Sequence, residues 1–336
     1  MLAEEIVEAV ANAVRGGLEL GLSPEGILQM RVVGSDRVCE AFLSVSHGEA
    51  KTGVGSSPKA SSLVSLDAEL ARAFSSGRLE LRDESVRSRL QLRGDWAFVV
   101  ALVSACTRPS SHTKRVFTEA AEKAKAQTCF MREDLGPPSE AVVRDCIQAG
   151  RPLVAKWWPA LAHWNLETLA TSYGHCMLDI GVSLGAVIAR ISAGEAVYTH
   201  GCKAPDGLAA KVQGDFYGRG RWGIPQLWMG SRSSRLVTGL HREVSSAFLV
   251  QVIGRKKLLL YRPDQHLFVY ARRAHGSLQQ CWVDPDEPDH ARFPLFSKAE
   301  PLEITLAPGE ALLIPPAWFH CAYALDDVLS IGTAIH

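Results

Sequence analysis

Apolar residues recur at helical spacing near the start of the chain and in strand-like runs soon after it. The spacing of the first group predicts a helix over residues 2–15, which Gly16 and Gly17 end. Two apolar runs, 28–33 and 38–45, then predict strands, and a glycine- and serine-rich stretch follows them. These patterns predict that residues 1–130 form a small α+β domain.

A second helix is predicted further along this part of the chain. Asp67 is a suitable N-cap for a helix over 68–74, which Gly77 ends. The segment 66–102 resembles the small α+β sterol-carrier-like fold, which runs helix, glycine, strand, Gly-Asp and helix. This first domain is therefore interpreted as a sterol-carrier-like domain, a substrate-recruiting module or a dimerising module, and the last interpretation implies a homodimer.

A glycine-proline stretch separates the two halves of the pattern. A polar helix predicted over 116–125 leads into Asp134-Leu-Gly-Pro-Pro138, and such a run is typical of a domain boundary. The second domain is therefore expected to cover residues 138–336.

Strand-like runs dominate this second domain. The stretch Thr238 to Lys257 reads as two strands joined by a tight turn at Gly254-Arg255, and an apolar strand returns over 256–261. Near the C-terminus, strands over 304–306 and 311–314 flank a Pro-Gly turn. Pro315-Pro316 stops the second of them, and a further strand carries His320.

Composition narrows the classes of protein that fit. The 336 residues are 47% hydrophobic and 21% charged, which describes a packed chain, and 36 basic residues balance 36 acidic ones. This balance makes nucleic acid an unlikely partner, since no global basic field is present. The eight cysteines form no C-x-x-C pair, which argues against a zinc ribbon or a disulfide framework. With no secretory signal and no apolar run long enough to span a bilayer, a cytoplasmic protein is expected.

Three residues form a candidate metal site. His241 and Glu243 are two apart in an extended run, so both side chains leave the same face of the strand. His320, on another strand, is the best candidate for a third ligand. Two imidazoles and one carboxylate form the facial set that leaves iron positions open for substrate and dioxygen. One alternative is that both histidines are hydrogen-bonded structural residues. The other is a protein that has kept this fold but has lost its metal.

From about Cys146 to its end, the chain resembles the JmjC, cupin-like oxygenases that use iron and 2-oxoglutarate. In pattern it is closest to the asparaginyl hydroxylase of hypoxia-inducible factor. The resemblance rests on GRPLVAKWWPALAHWNLETLATSYG, TGLHRE, QVIGRKKLLLYRPDQ and PGEALLIPPAWFH. It implies a mainly β fold with helices, a double-stranded β-helix or jelly roll, preceded by the smaller α+β domain.

The resemblance also implies roles for individual residues. His241, Glu243 and His320 would hold Fe(II). Lys256, selected from three consecutive basic residues by the family's register, would pair with the distal carboxylate of 2-oxoglutarate, and Thr238 and Tyr198 would hydrogen-bond it.

The implied activity is that of a dioxygenase. It would hydroxylate a C–H bond, of a residue in a protein or peptide, and release succinate and CO2. A small-molecule hydroxylase of the same chemistry and a catalytically silent binding protein are the alternatives.

The chain departs from the family at three positions. The nearest relatives have aspartate where this chain has Glu243, the form used by the related histone demethylases. Ala247 and Gly332 stand where relatives carry asparagines. These two departures imply a 2-oxoglutarate pocket that is wider or less polar than in the relatives.

Overall fold

A computed structural model describes most of the chain. The described residues are 2–17, 25–34, 37–47, 49–80, 84–87, 89–95, 98–99, 102–103, 106–134, 136–156, 164–213 and 223–335. By its contacts the chain divides into two compact units. The first contains residues 1–114 and 272–279, and the second contains 115–271 and 280–336.

The first unit is an α+β structure built on one sheet. Its elements are α1 (Leu2–Gly17), β1 (Gly26–Val33), β2 (Val38–Ser46), β3 (Glu49–Val54), β4 (Ser62–Asp67), α2 (Ala68–Ser75), α3 (Glu84–Arg87) and β5 (Gln91–Gly94). The strand order is β3-β2-β1-β4-β5, and β1 and β4 are parallel. Apolar residues of α1, α2 and one face of the sheet share a single core.

The sequence predicted four of these eight elements. The first helix and the first two strands are confirmed, and so is the N-cap of α2, because the Asp67 carboxylate accepts hydrogen bonds from the backbone N–H groups of Glu69 and Leu70. Strand β3 was missed, since Ala50 is its one fully buried residue. The ring of Phe42 packs over Gly53, where an added Cβ would lie 2.2 Å from it.

The rest of the chain contains five helices and twelve strands within the described residues, with two short 3-10 helices at Pro263–Gln265 and Pro294–Lys298. The helices are α4 (Ser111–Ala124), α5 (Glu140–Ala149), α6 (Leu166–Tyr173), α7 (Leu184–Ser192) and α8 (Asp206–Gln213). The strands are β6 (Met131–Glu133), β7 (Leu153–Lys156), β8 (Cys202–Lys203), β9 (Gln226–Gly230), β10 (Leu236–Glu243), β11 (Ser246–Ile253), β12 (Lys256–Tyr261), β13 (Leu278–Gln280), β14 (Leu302–Leu306), β15 (Glu310–Ile314), β16 (Phe319–Ala324) and β17 (Val328–Ile335).

These strands form two sheets that face each other. A seven-stranded sheet has the order β6-β7-β15-β11-β17-β9-β8, and a five-stranded sheet has the order β13-β10-β16-β12-β14. Leu258 and Ala322 of the smaller sheet share one buried cluster with Leu312 and Ile314 of the larger sheet. On its other face, the larger sheet packs against helices α5 to α8. This arrangement confirms the predicted fold class, mainly β with helices and jelly-roll in character.

The predicted two-strand reading of residues 238–257 is wrong. The residues before Gly254 form two strands, β10 and β11, which lie in different sheets. The turn at Gly254 connects β11 in the larger sheet to β12 in the smaller sheet, so these two strands do not form a hairpin. Turn chemistry is the same in both cases: Gly254 has φ +65°, and an added Cβ would lie 2.1 Å from the Asp327 carbonyl oxygen. The consequence is that β10 and β12 both flank β16.

The Gly-Pro-Pro stretch at 136–138 lies inside the second unit. The functional division into residues 1–130 and 138–336 stays a prediction. Of the segment 150–174, residues 157–163 lie outside the described residues.

Candidate active site

Two histidines meet where β10 pairs with β16. His241 stands directly opposite His320 in this antiparallel pair. Their ring centroids are 4.3 Å apart, with 55° between the ring planes. Side chains of a directly opposed pair on one face come close enough to share a ligand. The structure therefore brings together the two predicted imidazoles, which lie 79 positions apart in the sequence.

Backbone carbonyl groups orient both rings in the same way. The Nδ1 atom of His241 lies 2.8 Å from the oxygen of Gly239, and the Nδ1 atom of His320 lies 3.1 Å from the oxygen of Trp318. Since a carbonyl oxygen only accepts hydrogen bonds, each Nδ1 carries the proton. In the neutral rings both Nε2 atoms then keep a lone pair, which is the form of histidine that binds metals.

Glu243 is the third predicted ligand. It is the last residue of β10, its side chain is half-buried, and its backbone oxygen accepts a hydrogen bond of 2.8 Å from the N–H of Ala317. Within the described part of the chain, no three His, Cys, Asp or Glu side chains are grouped so that they could hold a metal ion. The metal role of the three residues therefore stays a prediction.

Lys256 lies on the other side of β16, opposite Ala324. It is 2% exposed, and burial lowers its pKa to about 7. No carboxylate among the described residues forms a salt bridge with it. Its two basic neighbours are occupied elsewhere. Arg255 Nε lies 2.8 Å from Asp326 Oδ2, and Lys257 Nζ lies 4.4 Å from the ring centroid of Tyr323.

Tyr198 lies near this lysine, and Thr238 lies near Tyr198. The ring centroid of Tyr198 lies 5.7 Å from Lys256 Nζ. The Tyr198 hydroxyl is buried and has no hydrogen-bond partner of normal geometry among the described residues. Burial raises the pKa of Tyr198, and the nearby Thr238 side chain partly offsets this rise. A buried ammonium and a buried hydroxyl that have no anionic or accepting partner among the described residues form a suitable site for a carboxylate.

Small side chains separate the histidine pair from the lysine. On β16, Ala322 and Ala324 follow His320 at alternate positions, so they share its face of the strand. Thr238 lies opposite Ala322. Since four residues of a strand span about 13 Å, this row of alanines leaves room between the imidazoles and the lysine end of the sheet.

The two predicted pocket departures have different surroundings. Ala247 packs partly buried against the cluster between the sheets, opposite Ile314. At Gly332 an added Cβ would lie 3.1 Å from Nε1 of Trp228. The Trp228 indole therefore borders the space that an asparagine side chain would enter at position 332.

Sequence reasoning missed His200. Its ring centroid lies 5.0 Å from that of Tyr198 and 6.5 Å from that of Trp228. The available signal was its position two residues after Tyr198, which places both side chains on one face of an extended segment.

Comparisons with known proteins agree with this architecture. Residues 205–332 match the family model of the cupin-like domain. JmjC domain-containing protein D of Dictyostelium discoideum is 34% identical over 105 residues, which cover 31% of this chain and 23% of the relative. The 2-oxoglutarate and iron-dependent oxygenase JMJD4 of Danio rerio is 36% identical over 109 residues, covering 32% and 25%.

Two further similarities are shorter or weaker. Human tRNA wybutosine-synthesizing protein 5 is 36% identical over 95 residues, covering 28% of each chain. The structure of YcfD, a ribosomal oxygenase from Escherichia coli in complex with cobalt and succinic acid, is 19% identical with a TM-score of 0.22, covering 34% of this chain and 24% of that one. The chain spans about a quarter of the length of the curated relatives it matches.

Residues 205–332 are thus similar to cupin-like domains, and one matched relative is named for its JmjC domain. The matched relatives include an oxygenase named for its dependence on 2-oxoglutarate and iron. The predicted closeness to the asparaginyl hydroxylase of hypoxia-inducible factor stays a prediction. Among the helices that the structure describes, none has the length and apolar character needed to cross a membrane.

Proposed function

We propose that this protein is an Fe(II)- and 2-oxoglutarate-dependent oxygenase that hydroxylates a C–H bond and releases succinate and CO2. One observation carries the proposal. Two imidazoles, each with Nδ1 bonded to a backbone carbonyl, face each other on the same sheet as a buried lysine that has no acidic partner among the described residues. An iron site needs the two imidazoles, and a site for a dicarboxylate needs the lysine ammonium.

Fe(II) would be held by Nε2 of His241, Nε2 of His320 and the carboxylate of Glu243. The two imidazoles already lie close together, with ring centroids 4.3 Å apart. Glu243 shares the face of His241 because the two are two residues apart on β10. A glutamate has three side-chain torsions, so rotation of its side chain alone is proposed to complete the set.

Lys256 would bind the distal carboxylate of 2-oxoglutarate. A carboxylate ligand supplies the charge that this buried ammonium lacks, and a charge-assisted hydrogen bond in a buried site is among the strong ones. The hydroxyl groups of Tyr198 and Thr238 would donate to the same carboxylate. Iron with 2-oxoglutarate and dioxygen supplies the oxidising chemistry, while these side chains ligate, orient and exclude water.

A residue of a protein or peptide is the proposed substrate. One matched relative, lysine-specific demethylase 8 of Xenopus tropicalis, bears a name that refers to a protein target. Another is named for tRNA wybutosine synthesis. The equal numbers of basic and acidic residues give this chain no general attraction for RNA, which favours the protein substrate.

Succinate formation tests the proposed function. The purified chain, supplied with Fe(II), 2-oxoglutarate and dioxygen, is expected to release succinate slowly even without its substrate. Omission of iron, and separately of dioxygen, should stop the release. If the complete mixture forms no succinate above these controls, the proposal fails, and the alternative is a silent protein that binds neither iron nor 2-oxoglutarate.

Affinity for 2-oxoglutarate is expected to fall as the pH rises from 7 to 9. Lys256, with a pKa of about 7 in the free protein, must be protonated to pair with the carboxylate, and the bound anion raises that pKa. Below pH 7 the proton is already present. Above pH 7 binding takes up one proton, so the dissociation constant rises by up to about tenfold per pH unit.

Anaerobic calorimetry in buffers of different ionisation enthalpy measures this proton uptake directly. Tyr198 does not interfere, because burial raises its pKa, and partial burial together with the charge of Lys256 lowers the pKa of His200. The Lys257→Met variant serves as the control and should keep the wild-type pH dependence. A dissociation constant that is flat from pH 7 to 9 would show that Lys256 does not pair with the ligand.

The first unit is proposed to recruit the substrate. A chain that starts at residue 111, and so keeps α4, should bind iron and form succinate without substrate, because all proposed ligands lie beyond it. Coupled hydroxylation of the natural substrate should fall, since remote contacts position the reacting bond. Loss of iron or aggregation of the shortened chain would instead favour a covering or dimerising role.

The shortened chain also loses a contact within the first unit. The Glu80 carboxylate accepts hydrogen bonds of 3.2 Å from the N–H and 3.3 Å from the hydroxyl of Ser277. Residues 272–279 would then be uncovered. A Glu80→Gln variant of the full chain separates the effect of this contact from the effect of losing the unit.

A further inference from the structure

An arginine stack lies on the face of β10 and β16 that points away from the histidine pair. It consists of Phe117 on α4, Arg242 on β10 and Phe319 on β16. The Arg242 Cζ atom lies 3.8 Å from the ring centroid of Phe117 and 4.5 Å from that of Phe319. Arg242 is 6% exposed, so the whole stack is shielded from water.

The stack is joined directly to the residues proposed to hold iron. Arg242 stands between His241 and Glu243, and Phe319 immediately precedes His320. Neighbouring residues of a strand point to opposite faces, so the imidazoles and the stack share the same two stretches of backbone. Any shift of Arg242 relative to Phe319 would move the two imidazoles relative to each other.

The ladder between β10 and β16 is irregular next to the histidine pair. Between Leu236 and His241 the register of β10 against β16 shifts twice, with Leu236 opposite Tyr323, Thr238 opposite Ala322 and His241 opposite His320. Each shift is a bulge, which leaves residues unpaired and bends the strand. Strand β10 then ends at Glu243. Side-chain packing therefore adds a constraint at the place where the ladder between β10 and β16 is irregular.

We propose that Arg242 is a positioning residue that, through the arginine stack, sets the distance and angle between the His241 and His320 rings. This inference rests on the proposed function. A planar guanidinium suits the role, since it attracts the faces of two aromatic rings at once, and the attraction is stronger when water is excluded. A side chain without charge fills the space but lacks this attraction.

Two variants of Arg242 separate charge from packing. Arg242→Met keeps most of the volume between the rings and removes the charge, whereas Arg242→Lys keeps the charge and loses the planar group. Arg292→Met is the control for loss of an arginine over an aromatic ring, because Arg292 belongs to neither ligand strand and its Cζ lies 5.3 Å from the ring centroid of Phe293. Each protein is first checked for native circular dichroism.

The readouts are the affinity for Co(II), the visible spectrum of the Co(II) form, and the imidazole nitrogen resonances of the metal-free protein. Arg242→Met should bind Co(II) at least about tenfold more weakly, with a changed spectrum and shifted imidazole resonances. Arg242→Lys should lie between Arg242→Met and the wild type. Arg292→Met should match the wild type in all three readouts.

Phe117→Leu provides a second test that leaves Arg242 in place. It should weaken Co(II) binding in the same direction, and the Phe117→Leu/Arg242→Met double variant should bind no more weakly than Arg242→Met alone, because both changes break one contact. If Arg242→Met does not fold, Phe117→Leu decides the question.

The failures of the two proposals are distinguishable. A wild-type chain that binds no Co(II) or Fe(II) contradicts the proposed function. A wild-type chain that binds Co(II), with a folded Arg242→Met or Phe117→Leu variant of the same affinity and spectrum, overturns only the role of Arg242.

Discussion

Alanine at His241 or at His320 is expected to abolish succinate formation and to lower iron affinity by several orders of magnitude. Each change removes one of three proposed protein ligands, and the remaining two cannot hold Fe(II) against water. The two variants should behave alike, because the rings are directly opposed and each has its Nδ1 bonded to a backbone carbonyl.

Folding must be separated from ligation in this experiment. Both residues lie on β-strands of the smaller sheet, and His241 is buried, so thermal unfolding of each metal-free variant is measured beside its iron affinity. His290→Ala is the control, since this exposed histidine lies beside Phe296 with ring centroids 6.4 Å apart and has no proposed ligand role. Wild-type succinate formation in a folded His241→Ala or His320→Ala chain would remove the proposed metal site.

Methionine at Lys256 is expected to raise the concentration of 2-oxoglutarate needed for half-maximal turnover about 10- to 100-fold, while iron affinity stays close to wild type. A hydrogen bond to a charged group contributes about 1.5–3 kcal/mol, and each 1.4 kcal/mol corresponds to a factor of ten. Methionine keeps the length of the side chain, so the loss reports the ammonium rather than a cavity. Lys257→Met should have little effect, because Lys257 lies over Tyr323 on the other face of β12.

The same variant should stabilise the ligand-free protein. Burial lowers the pKa of Lys256 to about 7 from a much higher value in the unfolded chain, so below pH 7 the folded state carries a buried charge that destabilises it. The gain in unfolding free energy for Lys256→Met should therefore be largest near pH 6 and shrink as the pH rises. A Lys257→Met chain with the larger shift in 2-oxoglutarate requirement would show that the two lysines have exchanged roles.

The sequence predicted that His241 and His320 lie on separate strands, which the structure shows, but it predicted the connections between the strands less well. The His-x-Glu run on one strand and the distant His320 were found because period-two geometry is local. The buried lysine among three basic neighbours came from the family resemblance, and the structure buries Lys256. The alternation of successive strands between two sheets was missed, because a Gly-Arg turn fits a hairpin and a sheet corner equally well.

Other features of the site depend on contacts between residues far apart in the chain. Phe117 meets Arg242 across 125 positions, and the bulges in β10 arise only from its pairing with β16. Trp228 borders Gly332 because β9 and β17 are adjacent. Spacing within one strand contains no signal for such contacts.

An anaerobic titration tests the central claim most directly. The wild-type chain is titrated first with Fe(II) and then, in the iron-loaded form, with 2-oxoglutarate, each by calorimetry. The account predicts one Fe(II) per chain, one 2-oxoglutarate per chain, loss of the first step in His241→Ala, and weakening of the second step alone in Lys256→Met. A folded wild-type chain that binds neither Fe(II) nor 2-oxoglutarate would contradict it.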